Sequence, residues 1–95
     1  MSSDQTISVR HNEAESRFEA FVDGEACVAD YQLRGDEMVF THTYVPPSLR
    51  GRGIAEKIVR AGLEHAQAKQ RKVVPACWYV GVYIERHPEF AHLLK

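Results

Sequence analysis

The residues best placed to do chemistry in this sequence form a short loop rich in glycine and arginine. The loop covers residues 48–53 and precedes a stretch whose apolar residues recur at the spacing of a helix. Most helices begin beside Ser, Thr, Asp or Asn, whose side chains cap free backbone N–H groups. No such residue adjoins the first turn here, because Ser48 lies too early. An anion would be favoured here by the unpaired N–H groups, the helix dipole and two arginines, and phosphate is the ligand most often bound at such a site.

Two glycines of this loop, Gly51 and Gly53, let the backbone turn tightly and let a ligand approach it. We therefore hypothesise that a bound pyrophosphate caps the helix, with water as the alternative cap. Other phosphate motifs fit poorly. The chain lacks the Gly-x-x-x-x-Gly-Lys-Ser/Thr string of a P-loop. The dinucleotide fingerprint needs a small third residue after Gly51-x-Gly53, and Glu56 stands there.

Length and composition exclude several classes of protein. The chain has 95 residues, of which 44% are hydrophobic and 26% charged, as in a single globular domain. Two cysteines, Cys27 and Cys77, are too few for a disulfide framework, so a reducing cytoplasm is expected. The longest nearly apolar run, residues 73–84, is too short to span a membrane, and no signal peptide is visible.

The charge of the chain is small but unevenly distributed. The net charge of −1 argues against a dedicated nucleic-acid binder. Residues 1–45 hold nine acidic and three basic side chains (−6), whereas residues 46–95 hold four acidic and nine basic ones (+5). The basic half suits an anionic small molecule, although a solvated helix face rich in lysine and arginine gives the same pattern.

The elements that must position the loop follow from residue periodicity. Strands are expected over residues 6–11, 17–22, 25–33, 37–45 and 72–77, with a hairpin turn at Asp23-Gly24. Helices are expected over residues 53–70 and 78–86, with a short one from Pro88 to Leu94. Residues 1–5 are interpreted as a loose tail and residues 6–95 as one domain.

The strand predicted over residues 37–45 carries bulk on both faces and is therefore placed inside the sheet. Strict alternation places four of its side chains on one face: Met38, Phe40, His42 and Tyr44. The long helix joins this strand to the next, which favours a parallel pair and a right-handed crossover. The expected fold is a compact α/β (α+β) domain with a mixed, mostly antiparallel sheet and one long crossover helix.

The loop and its flanks resemble a known family. The residues Arg50-Gly51-Arg52-Gly53-Ile54-Ala55 match Gln/Arg-x-x-Gly-x-Gly/Ala, the acetyl-CoA signature of the GNAT superfamily of N-acetyltransferases. Three further segments make the chain similar to the minimal YjdJ-type or N-acetyltransferase-domain-containing-1-like acetyltransferases. These segments are Thr41–Pro46, Glu64–Ala66 and Pro75–Val80. The resemblance spans residues 7–94.

The resemblance implies a GNAT-like fold that binds acetyl-CoA between two splayed central strands. The backbone amides of residues 52–55 would hold the pyrophosphate, and the strand ending at Val45 would pair with the pantetheine arm. Pro75 supports the splay independently, since proline has no N–H group and cannot complete a ladder in mid-strand. The implied cofactor-binding residues are Thr43, Tyr44, Val45, Arg50, Gly51, Arg52, Gly53, Ile54 and Ala55.

The resemblance also supplies candidates for catalysis. Related minimal acetyltransferases have a cysteine at the position of Cys77, whose thiolate would take the acetyl group and pass it to an amine. The alternative is a buried, inert cysteine, which is the role assigned to Cys27. For direct transfer, His42 is the candidate base and Tyr79 or Tyr83 the candidate acid. The alternatives are a surface histidine and two core tyrosines.

One departure from the family pattern concerns the acceptor. Larger GNAT enzymes place one or two helices between the first two strands, where this chain has only residues 12–16. The acceptor side would then be open to a bulky amine, such as that of a peptide or protein.

The sequence is therefore compatible with three functions. The leading one is an acetyl-CoA-dependent N-acetyltransferase acting on an unidentified amine. The alternatives are a CoA-binding module without turnover and an interaction domain whose basic loop binds another anion. The expected partners are a CoA thioester and an amine acceptor, and neither nucleic acid nor a membrane is expected to bind. The protein is expected to be a monomer or a weak dimer. No metal is expected, because the histidines lack ligand spacing.

Overall fold

In the computed structural model, which describes residues 7–95, a five-stranded sheet lies against two helices. The strands, in the order β1-β2-β3-β4-β5 across the sheet, are Arg10–Asn12, Arg17–Val22, Glu25–Arg34, Glu37–Tyr44 and Lys72–Pro75. The helices are α1 (Ile54–Ala68) and α2 (Trp78–Arg86), and 3₁₀ turns cover Glu13–Glu15, Pro47–Leu49 and Pro88–Leu93. Strands β1 to β4 pair antiparallel, and β4 pairs parallel with β5. The predicted mixed, mostly antiparallel sheet with a crossover helix is confirmed.

Several element boundaries differ from the predicted ones. Strand β1 begins at Arg10 rather than at residue 6, and the predicted tail of residues 1–5, with Thr6, lies outside the described residues. Helix α1 is shorter than predicted because Gly53 and Gln70 have φ angles of 75° and 57°, outside the helical range. Strand β5 ends at Pro75 rather than at residue 77, because the proline has no N–H group to donate to the ladder.

Helix α1 covers one face of the sheet with an apolar stripe. Its buried positions recur at helical spacing and include Ile58, Val59 and Leu63. Gly62 lies where the helix comes closest to the sheet, because a Cβ atom there would lie 2.8 Å from Cε1 of Phe40. Among the described residues, no helix combines the length and apolar composition needed to cross a lipid bilayer.

A β-bulge interrupts the ladder between β3 and β4. Tyr31 pairs with Phe40, whereas the preceding Asp30 pairs with His42. Moving from Tyr31 to Asp30 advances β3 by one residue, while moving from Phe40 to His42 advances β4 by two. Thr41 is therefore the extra, unpaired residue of β4.

The bulge reverses the alternation of side chains in the second half of β4. Thr43 pairs with buried Ala29 and shares the helix-covered face with Phe40. His42 and Tyr44 project from the opposite face. The predicted placement of His42 and Tyr44 on the face of Phe40 is therefore wrong, because a period of two holds only along an unbroken ladder.

Candidate active site

The loop in front of α1 presents backbone N–H groups without protein partners. Among residues 7–95, the amides from Gly51 to Glu56 donate to no backbone carbonyl. Gly53 occupies the N-cap position, and no side chain caps the helix there. These groups carry the positive end of the helix dipole, so the start of α1 is prepared for an anion.

The backbone of this loop requires its two glycines. Gly51 and Gly53 have φ angles of 85° and 75°, in the left-handed region that other residues adopt with strain. A Cβ atom at either position would meet no heavy atom within 4 Å. The loop therefore leaves open space beside its backbone for an approaching ligand.

The two arginines of the loop fasten it to neighbouring elements. The Arg50 Nε donates to the Val45 carbonyl at 2.9 Å, and the Arg52 Nη1 lies 3.3 Å from an Asp23 carboxylate oxygen in the hairpin between β2 and β3. Because the Arg52 pair is exposed, it contributes little to stability. Arg52 thus faces the hairpin, while Arg50 lies at the end of β4.

Two connected depressions run from this loop to the sheet. The first, of about 240 Å³, is lined by the loop and the first turn of α1, with Val45 and Tyr79. The second, of about 330 Å³, lies between the end of β4 and the start of α2. Because both are lined by Val45, Arg50, Ala55 and Tyr79, the two depressions adjoin, and together they are called here the groove. Every predicted cofactor-binding residue except Arg52 lines it.

The groove reaches the sheet where β4 and β5 separate. The two strands pair only from Glu37 with Lys72 to Phe40 with Pro75. Strand β4 then continues to Tyr44, while the chain after Pro75 turns into α2. The predicted splay of the central strands is confirmed, and it leaves the end of β4 without a partner strand on this side within residues 7–95.

Cys77 lies at the sheet end of the groove, at the N-cap position of α2. Its backbone N–H donates to the Phe40 carbonyl at 2.8 Å. Its Sγ lies 3.2 Å from the Thr43 Oγ1. The thiol is free and half-buried. It is therefore held in place and open to the groove, unlike the fully buried thiol of Cys27.

The two candidate tyrosines occupy different environments. Tyr79 is half-buried and lines both parts of the groove. Burial, followed by the charge of Glu56, raises the pKa of the Tyr79 phenol above its ordinary value of 10.0, so it stays protonated at neutral pH. Tyr83 is buried, and its hydroxyl accepts a hydrogen bond from the Arg60 Nη1 at 3.1 Å. Only Tyr79 is therefore placed to donate a proton into the groove.

His42 lies outside the groove. Its ring is exposed on the opposite face of the sheet, and its Nδ1 lies 3.1 Å from the Asp30 Oδ2. The structure thus brings Cys77 and Tyr79 together with the predicted binding residues, and it separates His42 from them.

Comparison with known proteins identifies the family. The sequence model described as "GCN5-related N-acetyl-transferase" matches residues 17–93, from β2 to the last 3₁₀ turn. The chain belongs to the GCN5-related N-acetyltransferase family. The family resemblance noted in the glycine-arginine loop is thereby confirmed.

Two relatives and one solved structure agree with this assignment. Protein NATD1 of Xenopus tropicalis is 30% identical over 91 residues, which cover 93% of this chain and 84% of the relative. Protein NATD1 of Homo sapiens is 32% identical over 85 residues, covering 86% and 75%. The solution NMR structure of a GCN5-like protein from Staphylococcus aureus superimposes with a TM-score of 0.73 at 22% identity, covering 99% and 91% of the two chains. That likeness shows the shared fold.

Some residues of the groove were not predicted from the sequence. Trp78, a residue that is 74% exposed, lines it, and Leu49 and Glu56 line the part near α1. In the sequence, only the position of Trp78 directly after Cys77 could have indicated that Trp78 lines the groove. The side-chain contact of Thr43 with Cys77 was also missed, because it depends on the bulge.

The connection between the first two strands is as short as the sequence suggested. A single 3₁₀ turn, Glu13–Glu15, joins β1 to β2, and no α-helix lies between them. This connection therefore contributes no α-helix to either face of the sheet.

Proposed function

We propose that this chain is an acetyl-CoA-dependent N-acetyltransferase that acts on an amine. The observation that carries the proposal is the groove, which joins the bare amides before α1 to the thiol of Cys77. One end suits a pyrophosphate, because N–H groups and the helix dipole converge there. The other end offers a nucleophile. When bound, acetyl-CoA would supply an acetyl group activated as a thioester.

The residues present fit such a cofactor along the whole groove. The amides of residues 52–55 would hold the pyrophosphate, and Arg50 would add positive charge beside it. The unpaired end of β4 and the residue after it, from Thr43 to Val45, would offer backbone groups to the amides of the pantetheine arm. The open space beside Gly51 and Gly53 would admit the phosphates.

Cys77 would carry the acetyl group in a covalent route. Its thiolate would be the nucleophile for the acetyl group that acetyl-CoA supplies when bound, so that a bond to Sγ would form as the bond to the leaving sulfur breaks. The phenol of Tyr79 would donate a proton to the departing thiolate and regain one from solvent. The acceptor amine would then take the acetyl group from Cys77, lose its proton to solvent, and release the Cys77 thiolate.

The acceptor would be the amine of a peptide or protein. The short connection between β1 and β2 contributes no helix that could wall off the acceptor, so a large acceptor has access to the groove. The two cysteines are unpaired, which suits a reducing compartment such as the cytoplasm.

A CoA-binding module without turnover is the second candidate function. The observation that favours it is the position of His42, the predicted base, outside the groove. In that case the groove would bind CoA and acetyl-CoA equally well and Cys77 would stay unmodified.

Two measurements test the proposal. Isothermal titration should show binding of both CoA and acetyl-CoA, and the absence of heat and of a thermal shift with either would overturn the cofactor assignment. Intact-mass analysis after incubation with acetyl-CoA should show one added acetyl group that Cys77→Ala abolishes. Binding without acetylation in the presence of amine acceptors would favour the module, and equal labelling of Cys77→Ala would exclude the covalent route.

A further inference from the structure

We propose that Thr43 is a positioning residue whose hydroxyl donates a hydrogen bond to the Cys77 sulfur and stabilises its thiolate. This inference rests on the proposed function, in which the sulfur of Cys77 carries the acetyl group. The effect of Thr43 on the sulfur is nevertheless measurable without a cofactor.

The geometry holds Cys77 against β4 at two points. The Cys77 N–H donates to the Phe40 carbonyl at 2.8 Å, and the Cys77 Sγ lies 3.2 Å from the Thr43 Oγ1. The first contact fixes the backbone at the start of α2. The second fixes the direction of the side chain, so the sulfur faces the groove in one orientation.

The β-bulge is what brings Thr43 to this position. If Thr41 were an ordinary member of the ladder, the alternation that places Phe40 on the helix-covered face would place Thr43 on the opposite face. With Thr41 bulged out of the ladder, Phe40 and Thr43 lie on the same face and both contact Cys77. Bulges often redirect a side chain beside an active site in this way.

The hydrogen bond changes character with the state of the sulfur. In the thiol form, either Oγ1 or Sγ can be the donor. A thiolate has no proton and only accepts, so the Thr43 hydroxyl must then donate. Hydrogen bonds to a charged acceptor are stronger than neutral ones. The contact therefore favours the thiolate, and the proton of the thiol passes to solvent.

The test measures how fast the Cys77 sulfur reacts with iodoacetamide between pH 6 and pH 10, with peptide mapping by mass spectrometry. Thr43→Val removes the hydroxyl and keeps the shape of the side chain, whereas Thr43→Ser keeps the hydroxyl. Thr43→Ser is therefore the matched control at the same position. Cys27 serves as the internal standard for folding, since it is fully buried and burial raises the pKa of its thiol.

We expect Thr43→Val to slow alkylation at pH 7 by about two- to tenfold, the effect of one hydrogen bond. The difference should shrink as the pH rises, and at the highest pH the rate of Thr43→Val should equal or exceed that of the wild type. Thr43→Ser should follow the wild-type profile throughout.

Two results would overturn the inference. An unchanged profile for Thr43→Val would show that the hydroxyl does not stabilise the thiolate. An equal slowing at every pH would show that Thr43 only shapes access to the sulfur. If Thr43→Val exposes Cys27 and is therefore misfolded, Thr43→Ala replaces it with the same expectations. A positive result without acetylation of Cys77 would support Thr43 as a positioning residue and contradict only the covalent route.

Discussion

The close packing of α1 on the sheet makes a sharp prediction at Gly62. A Cβ atom at this position would lie 2.8 Å and 2.9 Å from Cε1 and Cζ of Phe40, and 3.3 Å from Cδ1 of Phe18. Distances below 3.0 Å require a neighbour to move. The Phe40 ring is fully buried, so it has no free space into which to retreat. We therefore expect Gly62→Ala to destabilise the protein.

The expected magnitude follows from two opposing effects. Alanine is better than glycine in the interior of a helix by about 1 kcal/mol. Forcing a methyl group into a filled core costs about 1–3 kcal/mol. The clash outweighs the propensity because the obstructing atoms belong to a buried ring. The net loss in the free energy of unfolding should be about 1 kcal/mol, which lowers the Tm by about 4–8 °C.

Urea unfolding followed by circular dichroism measures this change, and a second helix glycine provides the matched control. A Cβ atom at Gly81 in α2 would approach only Cβ of Pro75, at an ordinary 3.9 Å. Gly81→Ala should therefore stabilise the protein by about 0.5–1 kcal/mol. In a Phe40→Leu background, which removes the obstructing ring atoms, Gly62→Ala should become neutral or stabilising. If Gly62→Ala stabilises the wild-type protein as Gly81→Ala does, the interpretation of this packing is refuted.

Three further predictions concern binding, pH and catalysis. Gly53→Val should weaken CoA binding more than tenfold, or by over about 1.4 kcal/mol in titration calorimetry. Gly35→Val, with its similar φ of 60° in another loop, should leave CoA binding unchanged. Equal affinity in both variants would contradict binding of the pyrophosphate by the loop before α1. Burial lowers the pKa of His11 and of His65 below 6.5, so the folded state favours their neutral forms. Their contribution to stability is then complete above pH 6.5 and is lost as the pH falls through the folded-state pKa values. Urea unfolding at pH 7.5 and at pH 5 should therefore show a lower free energy of unfolding at pH 5, and His65→Gln should make this difference smaller. An equal difference in that variant would exclude the histidines as its cause. Tyr79→Phe should lower the rate of acetyl transfer about tenfold or more with little change in CoA affinity; an unchanged rate would remove Tyr79 as the acid.

The features that the sequence predicts correctly depend on local chemistry. The glycines in the loop before α1 and the absence of a capping side chain are visible in residues 48–55, and the structure confirms the uncapped helix start, whereas the anion site itself stays a prediction. Pro75 interrupts a ladder wherever it stands in a strand, and the structure shows the splay at that residue. The order of strands and helices also follows from periodicity within each segment.

The features that the sequence does not reveal depend on pairing between distant segments. The bulge at Thr41 arises from the register of β4 against β3, and nothing within residues 37–45 marks the point where alternation reverses. The faces assigned to His42 and Tyr44 were wrong for this reason. Tyr79 and Tyr83 lie one turn apart on α2, so only the position of that helix against β5 decides which one reaches the groove.

The separation of β4 from β5 has a consequence for self-association. Residues 41–44 of β4 form an unpaired strand edge at the border of the sheet, because β5 is the last strand in the order and its pairing with β4 stops at Phe40. A bare edge is a template on which a second chain can add, with aggregation as the usual outcome. Here the edge is only four residues long, shorter than a typical strand, and the turn into α2 closes one end of it. The fold can therefore keep unpaired backbone groups ready for a small extended molecule while it discourages a neighbouring polypeptide from occupying them.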